Sequence, residues 1–199
     1  LKETLAAGLV LLSNWRPHLT LVDPFCGSGT ILIEAAMIGK NIAPGINRHF
    51  LSMKWNFLNK EIWKKAVDEA FDRTNDNKLE LFGYDIDPKV IKYARLNSEN
   101  ADLNTMIDYS VKDIADFEFI SEKGSIITNL PYGQRLGNKD TLDDLYKTFK
   151  NSISEKNAYN KFIFTAHDHF QEIFGRADKK RKLYNGNIKC HLYSYYPKK

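Results

Sequence analysis

The hydrophobic pattern changes period several times along the chain, alternating between runs that suit strands and stripes that suit helices. Near its start, Leu5, Leu9 and Leu12 line one side of a helix, with Ala6 and Val10 beside them. Leu19 to Val22 predicts a first strand. After a glycine turn, a helix runs from Thr30 to Ile38, with Gly39 placed to close it in a left-handed cap. Leu79 to Tyr84 predicts the next strand, and Asp87 then caps a helix whose first position is Pro88. Met106 to Val111, Ser125 to Thr128 and Lys161 to Ala166 predict three more strands. Between the last two, Leu142, Leu145, Tyr146, Phe149 and Ile153 form an apolar face at helical spacing.

Strands that alternate with helices imply a parallel sheet covered on both faces. The end of the chain departs from this rhythm, because Asn185-Gly186 stands between two strand-like runs and predicts an antiparallel hairpin. Residues 40–78 also interrupt it. Asn41 to Met53, with Pro44 and Gly45, reads as a long loop, and Ile62, Trp63, Ala66, Val67, Ala70 and Phe71 then make a helix face that either packs over the sheet or serves function. The expected fold is one α/β domain over residues 1–199, with a helical lead-in at 1–18. Its mostly parallel, seven-stranded sheet ends in the C-terminal hairpin.

Composition narrows the setting. Hydrophobic residues are 43% and charged residues 27% of the chain, so wholesale disorder is excluded. The longest apolar runs, Leu5 to Leu12 and Ile31 to Ile38, are too short to cross a bilayer. Cys26 and Cys190 have no spaced partners, which argues against a disulfide framework or a zinc site and suits a reducing cytoplasm. A net charge of +4 permits a polyanionic partner, and Lys179, Lys180, Arg181 and Lys182 form a block that either meets phosphate or is simply solvated. The first residue is Leu and the helical stripe begins at once, so the sequence reads as part of something longer.

Candidate chemistry begins at Asp23-Pro-Phe-Cys-Gly-Ser-Gly-Thr30, where a strand turns into a helix and open α/β sheets bind ligands. A triphosphate loop needs a lysine after Gly29, and there is none. A dinucleotide fingerprint needs a third glycine where Leu32 stands and an acid in Asn47 to Lys54, and both are missing. What remains is a Gly-x-Gly turn after Asp23, with Asp85 and Asp87 and then Asp113 at the ends of the next two strands. Carboxylates at strand tips suit the ribose hydroxyls and amino group of an adenosine ligand without phosphates, such as S-adenosylmethionine, whose cationic end favours Asp23 nearby. Asp87 also reads as a helix cap and Asp113 as the cap of a short turn, which leaves Asp85 as the better ribose candidate. Cys26 reads as a packing residue rather than a reactive thiol.

These motifs, together with Leu1-Lys-Glu-Thr-Leu-Ala-Ala7, Ile42-Ala-Pro-Gly-Ile-Asn-Arg48, Asn129-Leu-Pro-Tyr-Gly133 and Lys179-Lys-Arg-Lys-Leu-Tyr-Asn-Gly186, resemble the methyltransferase domain of the THUMP-associated RNA guanine-N2 methyltransferases, in the branch that acts on bacterial large-subunit ribosomal RNA. The resemblance covers nearly the whole chain. It implies a Rossmann-like class I S-adenosylmethionine-dependent fold, a cytoplasmic enzyme without a metal, and an upstream THUMP domain that docks RNA. The cofactor residues it implies are Thr4, Asp23, Phe25, Cys26, Gly27, Ser28, Gly29, Thr30, Asp85, Ile86, Asp113, Ile114 and Asn129. Thr4 alternatively caps the first helix, and Ser28 and Thr30 alternatively just start the next one.

The catalytic expectation rests on Asn129, Leu130, Pro131 and Tyr132. A purine amine is a poor nucleophile, and two acceptors, the Asn129 side-chain oxygen and the Leu130 carbonyl, bind its hydrogens and turn its lone pair toward attack. Pro131 fixes the turn and Tyr132 offers a stacking face to a flipped base. Leu130 replaces the first proline of the usual Asn-Pro-Pro-Tyr, which keeps the carbonyl and puts loop rigidity in question. Arg135, Lys139, Arg181 and Lys182 are the candidate phosphate contacts. The expected product is a guanosine methylated at its N2 amine in 23S ribosomal RNA. The rivals are adenine-N6 or protein-glutamine methylation, a non-catalytic RNA- or cofactor-binding module, and a nicotinamide enzyme.

Overall fold

In β1 (Thr20–Asp23), Leu21 and Val22 are both completely buried, yet they belong to different apolar clusters. The same division holds for Ile126 and Ile127 in β4 (Gly124–Asn129) and for Phe162 and Ile163 in β5 (Tyr159–Thr165). Successive side chains on a strand point to opposite faces, so a strand buried on both sides needs apolar residues at every position. This explains the unbroken hydrophobic runs in these strands.

The computed structural model describes residues 1–132, 139–154 and 158–197, the side chains of 139–141 excepted. Among them a seven-stranded sheet has the order β3-β2-β1-β4-β5-β7-β6. Here β2 is Leu81–Asp85, β3 is Asp108–Val111, β6 is Lys179–Asn185 and β7 is Ile188–Tyr195. The pairs from β3 through β5 are parallel, and β7 joins β5 and β6 antiparallel. One face is covered by α1 (Glu3–Ser13), α2 (Thr30–Lys40) and α4 (Pro88–Asn100), through Leu9, Leu32, Ala35 and Ile91. The other is covered by α5 (Lys139–Ser152) and α6 (Phe170–Phe174), through Tyr146, Phe149 and Phe170. The expected α/β fold is therefore the observed one. No helix among the described residues is long and apolar enough to cross a membrane.

Three local expectations change. Gly39 lies inside α2, and Asn41 takes the left-handed cap with φ 55°. A Cβ on Gly39 would stand 2.8 Å from Leu79 Cδ2, so close packing rather than backbone freedom explains the glycine. Residues 40–78 form a short 3-10 turn (Leu51–Lys54) and α3 (Lys60–Asp72), and no residue of either is buried. The apolar face of α3 therefore does not pack over the sheet, and Ile62 and Phe71 remain 61% and 54% exposed. In the hairpin, Asn185 pairs with Ile188, so Gly186 and Asn187 are the turn residues instead of Asn185 and Gly186. Gly186 has φ 61° and Asn187 does not have positive φ, the pattern of a type II′ turn. Asn185 is thereby left in the strand with its side chain available for another purpose.

Gly83, in the middle of β2, tests how tightly the layers interlock. A Cβ there would meet Tyr109 Cδ1 at 2.6 Å and Leu32 Cδ1 at 2.7 Å. Gly83→Ala is expected to lower stability by about 1–3 kcal/mol through overpacking. Urea denaturation measures it, and an unchanged midpoint would show that α2 and β3 yield without cost.

Candidate active site

The strand order reverses between β1 and β4: the chain runs from β1 outward to β2 and β3, then returns to the other side of β1. Crevices at such a switch point, beyond the carboxyl ends of the strands, are where open α/β sheets bind ligands. The turn after β1 and the Asn129–Tyr132 segment after β4 stand at this point side by side.

The turn is built from its backbone. The Cys26 N–H donates to the Tyr84 carbonyl at 2.8 Å, and the Gly27 N–H donates to Asp85 Oδ2 at 3.1 Å, tying the turn to the tip of β2. Gly27 and Gly29 have φ 54° and 81°, a region side chains resist. At Gly29 space is also closed, because a Cβ would overlap the Tyr109 hydroxyl. Ser28 and Thr30 hydroxyls lie 3.2 Å apart at the start of α2, and Ser28 is exposed. Phe25 meets Phe149 edge-on with ring centroids 5.2 Å apart. Burial pushes the Cys26 thiol well up, which suits a packing residue and not a thiolate nucleophile.

The acids divide by environment. Asp23 is 1% exposed, and its Oδ1 accepts from the Thr128 hydroxyl at 2.7 Å and the Phe25 N–H at 3.2 Å. Burial outweighs these bonds and pushes its carboxyl up to about 7, with Asp85 adding a smaller push. Asp85 accepts from Gly27 with one oxygen and from the Asp87 N–H with the other, at 3.0 Å. Asp87 caps α4 through Lys89 N–H at 2.8 Å, with Pro88 following as expected. Asp113 caps a 3-10 turn (Ile114–Asp116) through Ala115 N–H at 2.9 Å. A carboxylate that caps with one lone pair retains others, so both acids keep acceptor capacity at strand tips. Ile86 is 66% exposed at the tip of β2, while Ile114 is buried. Thr4 sits one residue inside α1, and Lys2 occupies the cap position, so Thr4 is not the cap.

Beyond β4, the Leu130 N–H donates to the Phe164 carbonyl at 3.0 Å, which extends the β4–β5 ladder by a bond that proline at this position lacks. The Leu130 side chain is completely buried in the α5–α6 cluster. The Pro131 carbonyl accepts from the Tyr146 hydroxyl at 2.6 Å. Burial pushes that hydroxyl up to about 12, so it stays a donor. The Tyr132 hydroxyl accepts from Asn185 Nδ2 at 2.8 Å. Tyr146 and Asn185 thus hold the loop, a role their sequence patterns do not announce. Their motifs, an apolar helix stripe and a turn dipeptide, carry no sign of this use.

Against these satisfied groups, Asn129 Oδ1 is buried with no hydrogen-bond partner among the described residues. A buried unpaired carbonyl oxygen costs about 1–3 kcal/mol and calls for an external donor. Arg135 and the Lys139 side chain lie outside the described residues. Arg181 and Lys182 are exposed on β6.

Because Asp23 takes up a proton on folding, stability should fall as pH rises from about 4 to about 7, by at most about 4 kcal/mol from this group. Denaturation across that range should show the decline in the wild type and a flatter profile in Asp23→Asn. Parallel profiles would remove Asp23 as the cause.

Comparison with known proteins agrees with this architecture. The chain is 44% identical over 200 residues to the "Putative RNA methyltransferase YpsC" of Bacillus subtilis, covering 100% of this chain and 52% of that protein. It is 37% identical over 203 residues to the "Ribosomal RNA large subunit methyltransferase K/L" of Shewanella frigidimarina, covering 98% of this chain and 28% of that protein. It thus spans about half or less of the length of these relatives. The crystal structure of SMU.472, a putative methyltransferase complexed with S-adenosylhomocysteine (SAH), superposes with a TM-score of 0.96 at 40% identity, covering 100% of this chain and 53% of that one. The fold is that of S-adenosylmethionine-dependent methyltransferases. Residues 1–194 match the UPF0020 family, the RMKL-like methyltransferase domain, and the chain belongs to that family.

Proposed function

We propose that this chain transfers a methyl group from S-adenosylmethionine to the exocyclic N2 amine of a guanosine in 23S ribosomal RNA. The observation that carries the reading is the buried Asn129 oxygen at the tip of β4, which has no partner among the described residues and stands beside the glycine turn after β1. When bound, the cofactor supplies an electrophilic methyl group on a sulfonium.

The residues of the chain do the rest. Gly27 and Gly29 let the backbone approach the ligand, and Asp85 and Asp113 offer acceptors toward its ribose and adenine. Ile86 offers an apolar wall there. Asp23, poised near neutrality by burial, gains from ionising when a cation is placed nearby.

Across the switch point, Asn129 Oδ1 and the Leu130 carbonyl accept the two hydrogens of the flipped amine and hold its lone pair toward the methyl. Tyr132 faces the base, its hydroxyl held by Asn185. The loop is fixed before substrate arrives, because Leu130, Pro131 and Tyr132 each carry a hydrogen bond to a different element.

Asn129→Ala should lower transfer to ribosomal RNA by about 10²–10³-fold, the size seen when one oriented hydrogen-bonding group is removed. Cofactor binding, measured by calorimetry, should be retained. Equal transfer by both proteins would refute the assigned role. Nucleoside mass spectrometry of ribosomal RNA with and without the gene should show loss of one N2-methylguanosine. A change in methyladenosine instead would redirect the specificity, and a change in neither would sink it.

A further inference from the structure

Residues 179–199 contain seven of the 29 Lys and Arg residues and none of the 25 Asp and Glu residues. The other 178 residues hold 22 basic side chains against 25 acidic ones, so the net positive charge of the chain resides in its C-terminal hairpin and tail.

The pleat of the hairpin sorts these charges onto two faces. Lys180 pairs with Tyr193, Lys182 with His191 and Tyr184 with Lys189, and directly paired residues share a face. Tyr193 packs on Phe170 with ring centroids 4.8 Å apart, so this is the α5–α6 side of the sheet. Lys179 and Arg181 fall on the opposite side, with Leu183, Cys190 and Leu192 of the α1–α2 cluster. On the first face, Lys180, Lys182 and Lys189 are exposed, and Tyr184 is 56% exposed. Lys180 Nζ stands 5.3 Å from the Tyr193 ring centroid, which leaves it outward on an aromatic support. Burial, then Lys180 and Lys189, hold the His191 imidazole below its ordinary value, while Asp168 pulls it the other way.

The end of the hairpin that carries Tyr184 and Lys189 is held to the loop after β4, since the neighbouring Asn185 donates through Nδ2 to the Tyr132 hydroxyl at 2.8 Å. His191 pairs with Thr165, the Thr165 hydroxyl lies 3.1 Å from that of Tyr146, and the latter holds the Pro131 carbonyl. Lysines on an edge strand also discourage pairing with other sheets, which accounts for Lys180 and Lys182 on β6. It does not account for Lys189, whose strand β7 is paired on both sides, or for a segment without carboxylates.

We propose that Lys180, Lys182 and Lys189, with Tyr184 among them, form a surface that takes the phosphate backbone of a single-stranded RNA segment entering the Asn129 site. The inference rests on the RNA reading of that site and adds the face and the strandedness. Three lysines can each meet a phosphate, and an exposed tyrosine gives a base a stacking partner.

The test is anisotropy of a fluorescein-labelled uridine dodecamer titrated with the full chain at several salt concentrations. Replacing Lys180, Lys182 and Lys189 together by Gln should reduce the slope of log affinity against log salt by about 2, since each single-strand phosphate contact contributes about 0.7. Lys64→Gln with Lys65→Gln, on the exposed α3, should leave the slope near that of the wild type. Thermal unfolding and cofactor binding show that each variant is folded. An unchanged slope in the triple variant, or an equal loss in the double variant, overturns the surface. Binding of a duplex of equal length with the same lysine dependence overturns the single-strand assignment. Methyl transfer is assayed separately: wild-type transfer with an unaltered slope in the triple variant sinks the surface and spares the function. RNA binding on these lysines without transfer to any RNA sinks the function and spares the surface.

Discussion

The Thr128 hydroxyl reaches the Asp23 carboxylate at 2.7 Å across the boundary between β1 and β4, and both residues are almost wholly buried. That bond joins the last residue of β1 to the next-to-last residue of β4, at the place where the sheet reverses its order. The glycine turn leaves from one strand and the Asn129 loop from the other, so their separation depends on the parallel register of β1 and β4, in which Val22 pairs with Ile126. A carboxyl in this position is expensive to ionise, and one hydroxyl and one amide do not restore its ordinary acidity.

Around this junction the backbone is consistently occupied. The glycine turn is tied to β2 through Tyr84 and Asp85, and the Asn129 loop to β5, α5 and the hairpin through Phe164, Tyr146 and Asn185. Among the described residues, Asn129 Oδ1 stands out beside these tied groups as a buried side-chain oxygen without a partner. Leu130 illustrates how the loop is held. The sequence raises the prospect of a looser loop where leucine replaces proline, yet the leucine supplies a ladder hydrogen bond and a buried side chain in place of a fixed φ. Its side chain is therefore a structural requirement as well as its carbonyl.

The acids show that capping leaves a carboxylate with lone pairs to spare. Asp87 and Asp113 each satisfy an orphan N–H at a helix start while standing at the tips of adjacent strands. Local chemistry accounts for their presence, and sheet topology decides what else they can reach. The hairpin adds a second division, since a cluster of four consecutive basic residues is split by the pleat onto two faces with different neighbours.

Sequence by itself determined the elements whose cause is local. The two-period hydrophobic pattern, Asp87-Pro88 at a helix start and the glycine turn after Asp23 all act within a few residues, and the α/β sheet with its terminal hairpin follows from them. Tertiary structure decided what distance in the chain conceals. The left-handed cap falls at Asn41, and Gly39 answers instead to Leu79, which fills the space over it. The hairpin turn shifted by one residue, which freed Asn185 to hold Tyr132, 53 positions away. The face of α3 found no sheet to cover. Periodicity reports that a residue can be buried; only the packed chain supplies the partner that buries it or leaves it waiting, as it leaves Asn129.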